Sequence, residues 1–197
     1  MRPDEVDPEI GVNPNLIASV RAGFGAYHTV GSQYLRAEGI LPATDDPAAR
    51  TEIECVPLVR FLAAFAAIER RLGSAAIHDI GLQTPRNAIF PPDVTDIEAA
   101  IRSIDVAYRI NHYWRGVRLC DLPAGTQFPG IGRYEVKTPA EPRRLLVEVD
   151  GPYLDQFDLG LFIAISRRFE PRARVVLAPD RPQRARGGRS STYVVSW

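Results

Sequence analysis

Residues 154–169 read LDQFDLGLFIAISRRF, and the apolar members Phe157, Leu161, Phe162, Ile165 and Phe169 recur at the three-to-four-residue spacing of one helix face. The chain on either side keeps a different period. Ile131 to Lys137 and Arg143 to Val149 alternate or run apolar in the manner of strands, joined by the turn-forming Thr138-Pro139-Ala140-Glu141-Pro142. Arg174 to Leu177 and Thr192 to Trp197 repeat that pattern beyond the helix. Two strand pairs separated by a helix predict a four-stranded antiparallel sheet with N-terminal helices packed on it, an α+β domain ordered helices-β-β-α-β-β. A pocket is expected between the helical layer and the sheet.

The front half reads as helical. Asn13 followed by Pro14 forms an N-cap with proline at the first helical position, and apolar residues from Leu16 to Leu35 predict a helix to Glu38, stopped by Gly39. Leu41 to Thr51 is a polar connection. Val56 to Leu72, apolar on most of its circumference, predicts a core helix ended by Gly73, and a short segment from Ser74 to Ile80 closes at Gly81. A further helix runs from Ile97 through Ile104 and Tyr108 to about Trp114. Residues 1–12 carry Pro3, Pro8 and four acidic side chains without periodicity and are expected to form a flexible arm, with 13–197 as a single ligand-binding domain.

Composition narrows the partners. The 197 residues hold 24 Lys+Arg against 24 Asp+Glu, and this balance lacks the basic excess of nucleic-acid binders. The longest apolar run, Val56 to Ile68, is interrupted by Pro57 and Arg60 and falls short of the ~20 residues of a membrane span. Two cysteines, Cys55 and Cys120, and three histidines show no paired metal-ligand spacing, so no metal site is predicted and a reducing, cytoplasmic location is expected. No glycine-rich phosphate loop is present.

One place concentrates chemistry. Tyr108 and His112 stand four apart on the expected helix, with Asp105 three before Tyr108 and Trp114 just beyond. Such a pair could hold a ligand carbonyl, bind iron or move a proton, which makes His112 and Tyr108 the catalytic candidates. The expected ligand-lining set is Phe61, Phe65, Ile104, Tyr108, His112, Trp114, Phe157 and Leu161. Asp155 and Asp158 read as first-turn acids that cap the last helix, and Arg181, Arg184, Arg186 and Arg189 as a solvated loop.

The run from Leu154 to Phe169, the insertion with Gly187-Gly188, and Ser191-Thr-Tyr-Val-Val-Ser-Trp197 resemble the C-terminal half of the vinyl-reductase-type (hydrocarbon-binding) domain. Phe61 to Gly81 resembles the middle of the same domain. Relatives of that family are the haem-nitric-oxide-binding domains and the small subunits of the TRAPP tether. The resemblance implies a cytoplasmic domain that binds an apolar or aromatic small molecule as a sensor or carrier. It also implies two alternatives: a haem-dependent or cofactor-free enzyme using the same pocket, and a dimeric structural module with Leu16, Val20, Phe24 and Tyr27 at the interface. Tyr108 stands where the haem-binding relatives place their iron-ligating histidine, with His112 one turn on, and their Tyr-x-Ser-x-Arg triad has no counterpart here.

Overall fold

The computed structural model describes residues 5–43, 55–123 and 130–197. The start of the expected arm and most of the expected 41–51 connection lie outside them. The fold is α+β, with the helices of the front half packed against two antiparallel four-stranded sheets.

The larger sheet is the one the sequence predicts. Its strands β5 (Arg133–Lys137), β6 (Arg144–Asp150), β7 (Arg174–Leu177) and β8 (Ser191–Ser196) lie in the order β5-β6-β8-β7, all antiparallel. Alternation sends Leu145, Val147, Val149, Tyr193 and Val195 inward, all fully buried. Helices α5 (Ile97–Ile110) and α6 (Asp155–Phe169) lie against this sheet. Asp96 caps α5 by accepting a hydrogen bond from the Ala99 N–H at 2.8 Å, and Ile97, Ala100, Ile101, Ile104 and Tyr108 form its buried stripe.

The predicted first helix is broken. Helix α1 (Pro14–Gly23) ends, one 3₁₀ turn (Gly25–Tyr27) follows, and α2 (His28–Ala37) begins. Gly25 takes a left-handed φ of 48°, and the turn drives Phe24 into the core with its ring lying where a side chain on Gly31 would be. Val20 and Phe24 are therefore core residues, 0% and 1% exposed, and cannot form the dimer interface considered above.

The smaller sheet was not expected. Strands β1 (Ile10–Val12), β2 (Val56–Pro57), β3 (His112–Trp114) and β4 (Val117–Arg118) pair in the order β2-β1-β3-β4. The last three residues of the supposed arm are thus a buried strand, and the helix predicted to reach Trp114 stops at Ile110. Asn111 ends α5, Arg115 and Gly116 make the positive-φ turn that joins β3 to β4, and aromatic Tyr113 and Trp114 suit a strand.

Helix α3 (Leu58–Leu72) lines the core and is followed after Gly73 by α4 (Ser74–Gln83), which continues through Gly81 instead of closing there. The reason is close helix packing. Gly81 faces the Phe157 carbonyl and Gly160 faces the His78 carbonyl, so α4 and α6 meet backbone to backbone with no room for a Cβ at either position. Gly81→Ala and Gly160→Ala are each expected to destabilise the protein by at least ~2 kcal/mol, measured by urea unfolding. Gly73→Ala, where no such neighbour stands, is expected to cost less despite its positive φ.

Candidate functional site

His112 opens β3 and is completely buried. Its position is set by two elements. The end of α5 carries Tyr108, and β1 carries Val12, which pairs with His112 across the small sheet. The His112 Nδ1 lies 2.7 Å from the Tyr108 carbonyl oxygen, and its Nε2 lies 2.9 Å from the Tyr153 hydroxyl. A carbonyl only accepts, so Nδ1 carries the proton and donates it; Nε2 then holds a lone pair that accepts from Tyr153. Burial lowers the histidine to about 4, with the backbone partner opposing that shift, so the ring is neutral at physiological pH.

A stack of rings surrounds this lone pair. Tyr108 lies 4.3 Å from His112 and 5.0 Å from Tyr134, centroid to centroid. Tyr153 meets Phe157 in a stacked contact at 5.7 Å and meets Phe61, Phe65, Tyr108 and His112 edge-on at 5.8–6.4 Å. Phe65 in turn contacts Phe61 at 4.9 Å and Phe157 at 5.2 Å. The space expected to be hollow at these residues is therefore filled by touching side chains. Burial pushes the Tyr108, Tyr134, Tyr153 and Tyr193 hydroxyls up, which keeps all four as donors. Tyr108 donates to the Ile131 carbonyl at 2.7 Å, and Tyr134 to Asp158 at 2.8 Å.

The structure brings together five of the expected residues: Phe61, Phe65, Tyr108, His112 and Phe157. Ile104 is buried one turn before Tyr108, Leu161 packs half-buried beside the α4–α6 crossing, and Trp114 lies half-buried beneath the Arg115 guanidinium at 4.7 Å. Asp105, read as a neighbour of Tyr108, binds Arg109 and accepts from the Tyr134 N–H at 2.9 Å. His28 is exposed, and His78 stands beside Asp79.

Three residues central to the arrangement carry a different role from the one the sequence suggested. Arg184, read as solvated, has a side chain only 8% exposed. Its Nη1 donates to the Gly151 carbonyl at 2.7 Å, its Nη2 to Asp158 at 2.6 Å and its Nε to Asp155 at 2.8 Å. Asp155 and Asp158 are therefore not caps: their carboxylates point into the protein, where Asp155 also accepts from Ser191 and the Ala185 N–H. Burial raises the Asp158 carboxyl, and Arg184 and Tyr134 pull it back down. Burial works against the Arg184 charge, but Asp158, Tyr193 and Asp155 outweigh it and hold the guanidinium protonated. Tyr153, the partner of His112, carries no local signal in the sequence. It sits in the Gly151-Pro152-Tyr153-Leu154 corner between β6 and α6, where neither strand nor helix periodicity applies.

No protein-family model and no curated protein sequence matches the chain. Its fold is nevertheless that of solved H-NOX structures. An H-NOX protein from S. oneidensis in the Fe(II)NO ligation state superposes with a TM-score of 0.61 over 93% of this chain and 98% of that one, at 9% identity. An oxygen-binding H-NOX domain related to soluble guanylate cyclases superposes at 0.55 over 93% and 91%, with 16% identity. A structure from work on haem redox potential and porphyrin distortion superposes at 0.58 over 93% and 96%, with 14% identity. These matches correct the expected vinyl-reductase-type, hydrocarbon-binding assignment: the fold is the H-NOX one.

Two measurements test this geometry. A histidine held neutral by burial takes up its proton only on unfolding, so its share of stability is complete above about pH 6.5, falls as pH drops toward about 4 and is lost below, a difference on the order of 3 kcal/mol. Urea unfolding across that window should show a shallower acid loss in His112→Gln than in the parent protein. Arg184→Met, which strands two buried carboxylates, is expected to cost about 3–5 kcal/mol, whereas Arg189→Met at an 89% exposed side chain should cost less than about 1 kcal/mol.

Proposed function

We propose that this chain is a small-molecule sensor domain in which a guest takes the Nε2 lone pair of His112, and Tyr153 occupies that place otherwise. The observation that carries the reading is a completely buried, neutral histidine whose Nε2 lone pair points into an aromatic cluster and accepts from the hydroxyl of a corner residue. Phe61, Phe65, Tyr108 and Phe157 would then line the guest.

Haem is the guest that the H-NOX fold supports. The donor chemistry fits: a neutral imidazole whose other nitrogen donates to a backbone carbonyl is the tautomer and orientation that an iron ligand requires. The space requires Tyr153 to leave, because its ring touches every side chain that would line a flat guest. Haem bound there would supply an iron centre able to bind a diatomic gas. His112 would hold the iron, the α3 phenylalanines would exclude water, and the Tyr108 carbonyl would fix the imidazole.

Sensing is favoured over catalysis by the state of the two candidate catalytic residues. His112 stays neutral to about pH 4 with both nitrogens engaged, and the Tyr108 hydroxyl is committed to Ile131. Neither is poised to exchange a proton near neutral pH.

Titration with hemin tests the haem assignment. A visible haem band with a saturable rise in Tm is expected for the parent protein, stronger binding for Tyr153→Ala, and loss of the band for His112→Ala. No band in either the parent or a folded Tyr153→Ala protein would remove haem as the guest.

A further inference from the structure

The two edges of the larger sheet are finished differently. Along an antiparallel ladder each residue sends its N–H and C=O to one side and the next residue sends both to the other. The Arg143 carbonyl accepts from the Trp197 N–H and the Thr192 carbonyl from the Ala178 N–H, which fixes that alternation across β6, β8 and β7. On β5 it turns Tyr134 and Val136 toward the open edge, and α5 meets both: Asp105 accepts from the Tyr134 N–H at 2.9 Å, and Arg102 donates to the Val136 carbonyl at 3.2 Å. On β7 it turns Val175 and Leu177 outward, and among the described residues nothing bonds their outward N–H and C=O groups.

The ends of the β7 edge are closed. The Ala173 N–H donates to the Glu170 carbonyl at 2.9 Å, the Ala173 carbonyl accepts from Arg167 at 3.5 Å, and Pro179 has no N–H. Between the two free residues stands Val176, 54% exposed on the face away from the helices. Val176 is in register with Val194, and Val194 with Leu146, so an apolar row crosses the outer face of the sheet and runs out at this edge.

This short edge complements itself. When two copies of β7 run antiparallel about a two-fold axis at Val176, Val175 faces the partner's Leu177 and Leu177 the partner's Val175, each pair exchanging both of its bonds. The two Val176 side chains meet at the non-hydrogen-bonded position, where side chains come closest, and join the two apolar rows into one. Arg174 falls opposite the partner's Ala178, so no like charges are opposed. A register centred on Val175 would call on the engaged Ala173 carbonyl, and one centred on Leu177 on the missing N–H of Pro179. The β5 edge, blocked by Asp105 and Arg102, gives no second place to pair, so association stops at two chains.

We infer that two copies of this chain pair through β7, antiparallel about Val176, joining their four-stranded sheets into one continuous sheet. This goes beyond the proposed guest and does not depend on it.

Sedimentation velocity of the full-length protein tests it. Four residues a side make a small contact, so a reversible dimer with a Kd of about 10–100 μM is expected. Val176→Lys, which sets two cations against each other, should weaken it at least about tenfold. Val106→Lys, at a similarly exposed valine of α5, should change it by less than about twofold. Cross-linking reads the register. In a Cys120→Ser background, which removes the exposed native thiol, Val176→Cys should form a disulfide-linked dimer with oxidised glutathione, and Arg174→Cys should not. The cross-link keeps the test decisive should Val176→Lys fail to fold. A protein that stays monomeric up to about 500 μM overturns the inference, as does a dimer that Val176→Lys leaves intact, or cross-linking at position 174 in place of 176.

Discussion

A guanidinium with almost no water around it organises the centre of this molecule. Arg184 enters from the segment before β8, and its donors end on Asp155 and Asp158 of α6 and on the carbonyl of Gly151 at the end of β6. Two carboxylates cannot be buried so close together without a cation, and a cation cannot be buried without them. Each side therefore holds the other in place. Ser191, Tyr134 and the Ala185 N–H donate to the carboxylates, and Tyr193 donates to the Asp155 carbonyl at 3.0 Å and more distantly to its carboxylate, which ties the charge to both β5 and β8. Because the clasp grips Gly151, it also sets the corner that follows, and two residues later that corner delivers Tyr153 to His112.

The opposite approach to His112 is made by the N-terminal strand. Val12 pairs with His112, Ile10 with Trp114, and the Asn13 N–H donates to the Asn111 carbonyl at 2.9 Å. Glu9 and Arg115 add an exposed ion pair at 2.7 Å, whose contribution is small beside that of the ladder. The lone pair is thus aimed by two independent constraints, the last carbonyls of α5 and the register of β1 with β3. Displacing Tyr153 would leave Nε2 unsatisfied but would not in itself disturb either constraint, since the Nδ1 bond to Tyr108 and the strand pairing lie on the other side of the ring.

The larger sheet and the helix between its strand pairs were legible because their signals are long: seven residues of β6 alternate cleanly, and α6 repeats its apolar face over four turns. The smaller sheet was illegible for the converse reason. Strands of three residues, such as β1 and β3, carry too little alternation to be told from the end of an arm or of a helix. Tyr108, His112, Phe61, Phe65 and Phe157 could be found as large apolar or titratable side chains at helix-like spacing. Tyr153 and Arg184 could not, because their roles depend on tertiary partners far along the chain: His112 is 41 positions from Tyr153, and Asp155 is 29 from Arg184. Local rules read Asp155 and Asp158 as helix-terminal acids, and it is the burial of both that redirects them to a cation.

A self-supplied occupant changes what affinity means for such a site. Burying a tyrosine ring contributes roughly 2–3 kcal/mol and its hydrogen bond to a neutral imidazole about another 1 kcal/mol. A guest must recover that loss before any net binding appears, and the tether adds a concentration advantage to the residue being displaced. The frame itself is stiff, because Phe61, Phe65 and Phe157 are held by helices whose α4–α6 crossing tolerates no added methyl. A displacement of Tyr153 would therefore have to be taken up in the Gly151 to Leu154 corner, and the Arg184 bond to the Gly151 carbonyl would resist it. A guest that moved Tyr153 in the proposed way would work directly against that bond, and its occupancy at His112 would then be linked to the position of the Arg184 segment through one corner of the chain.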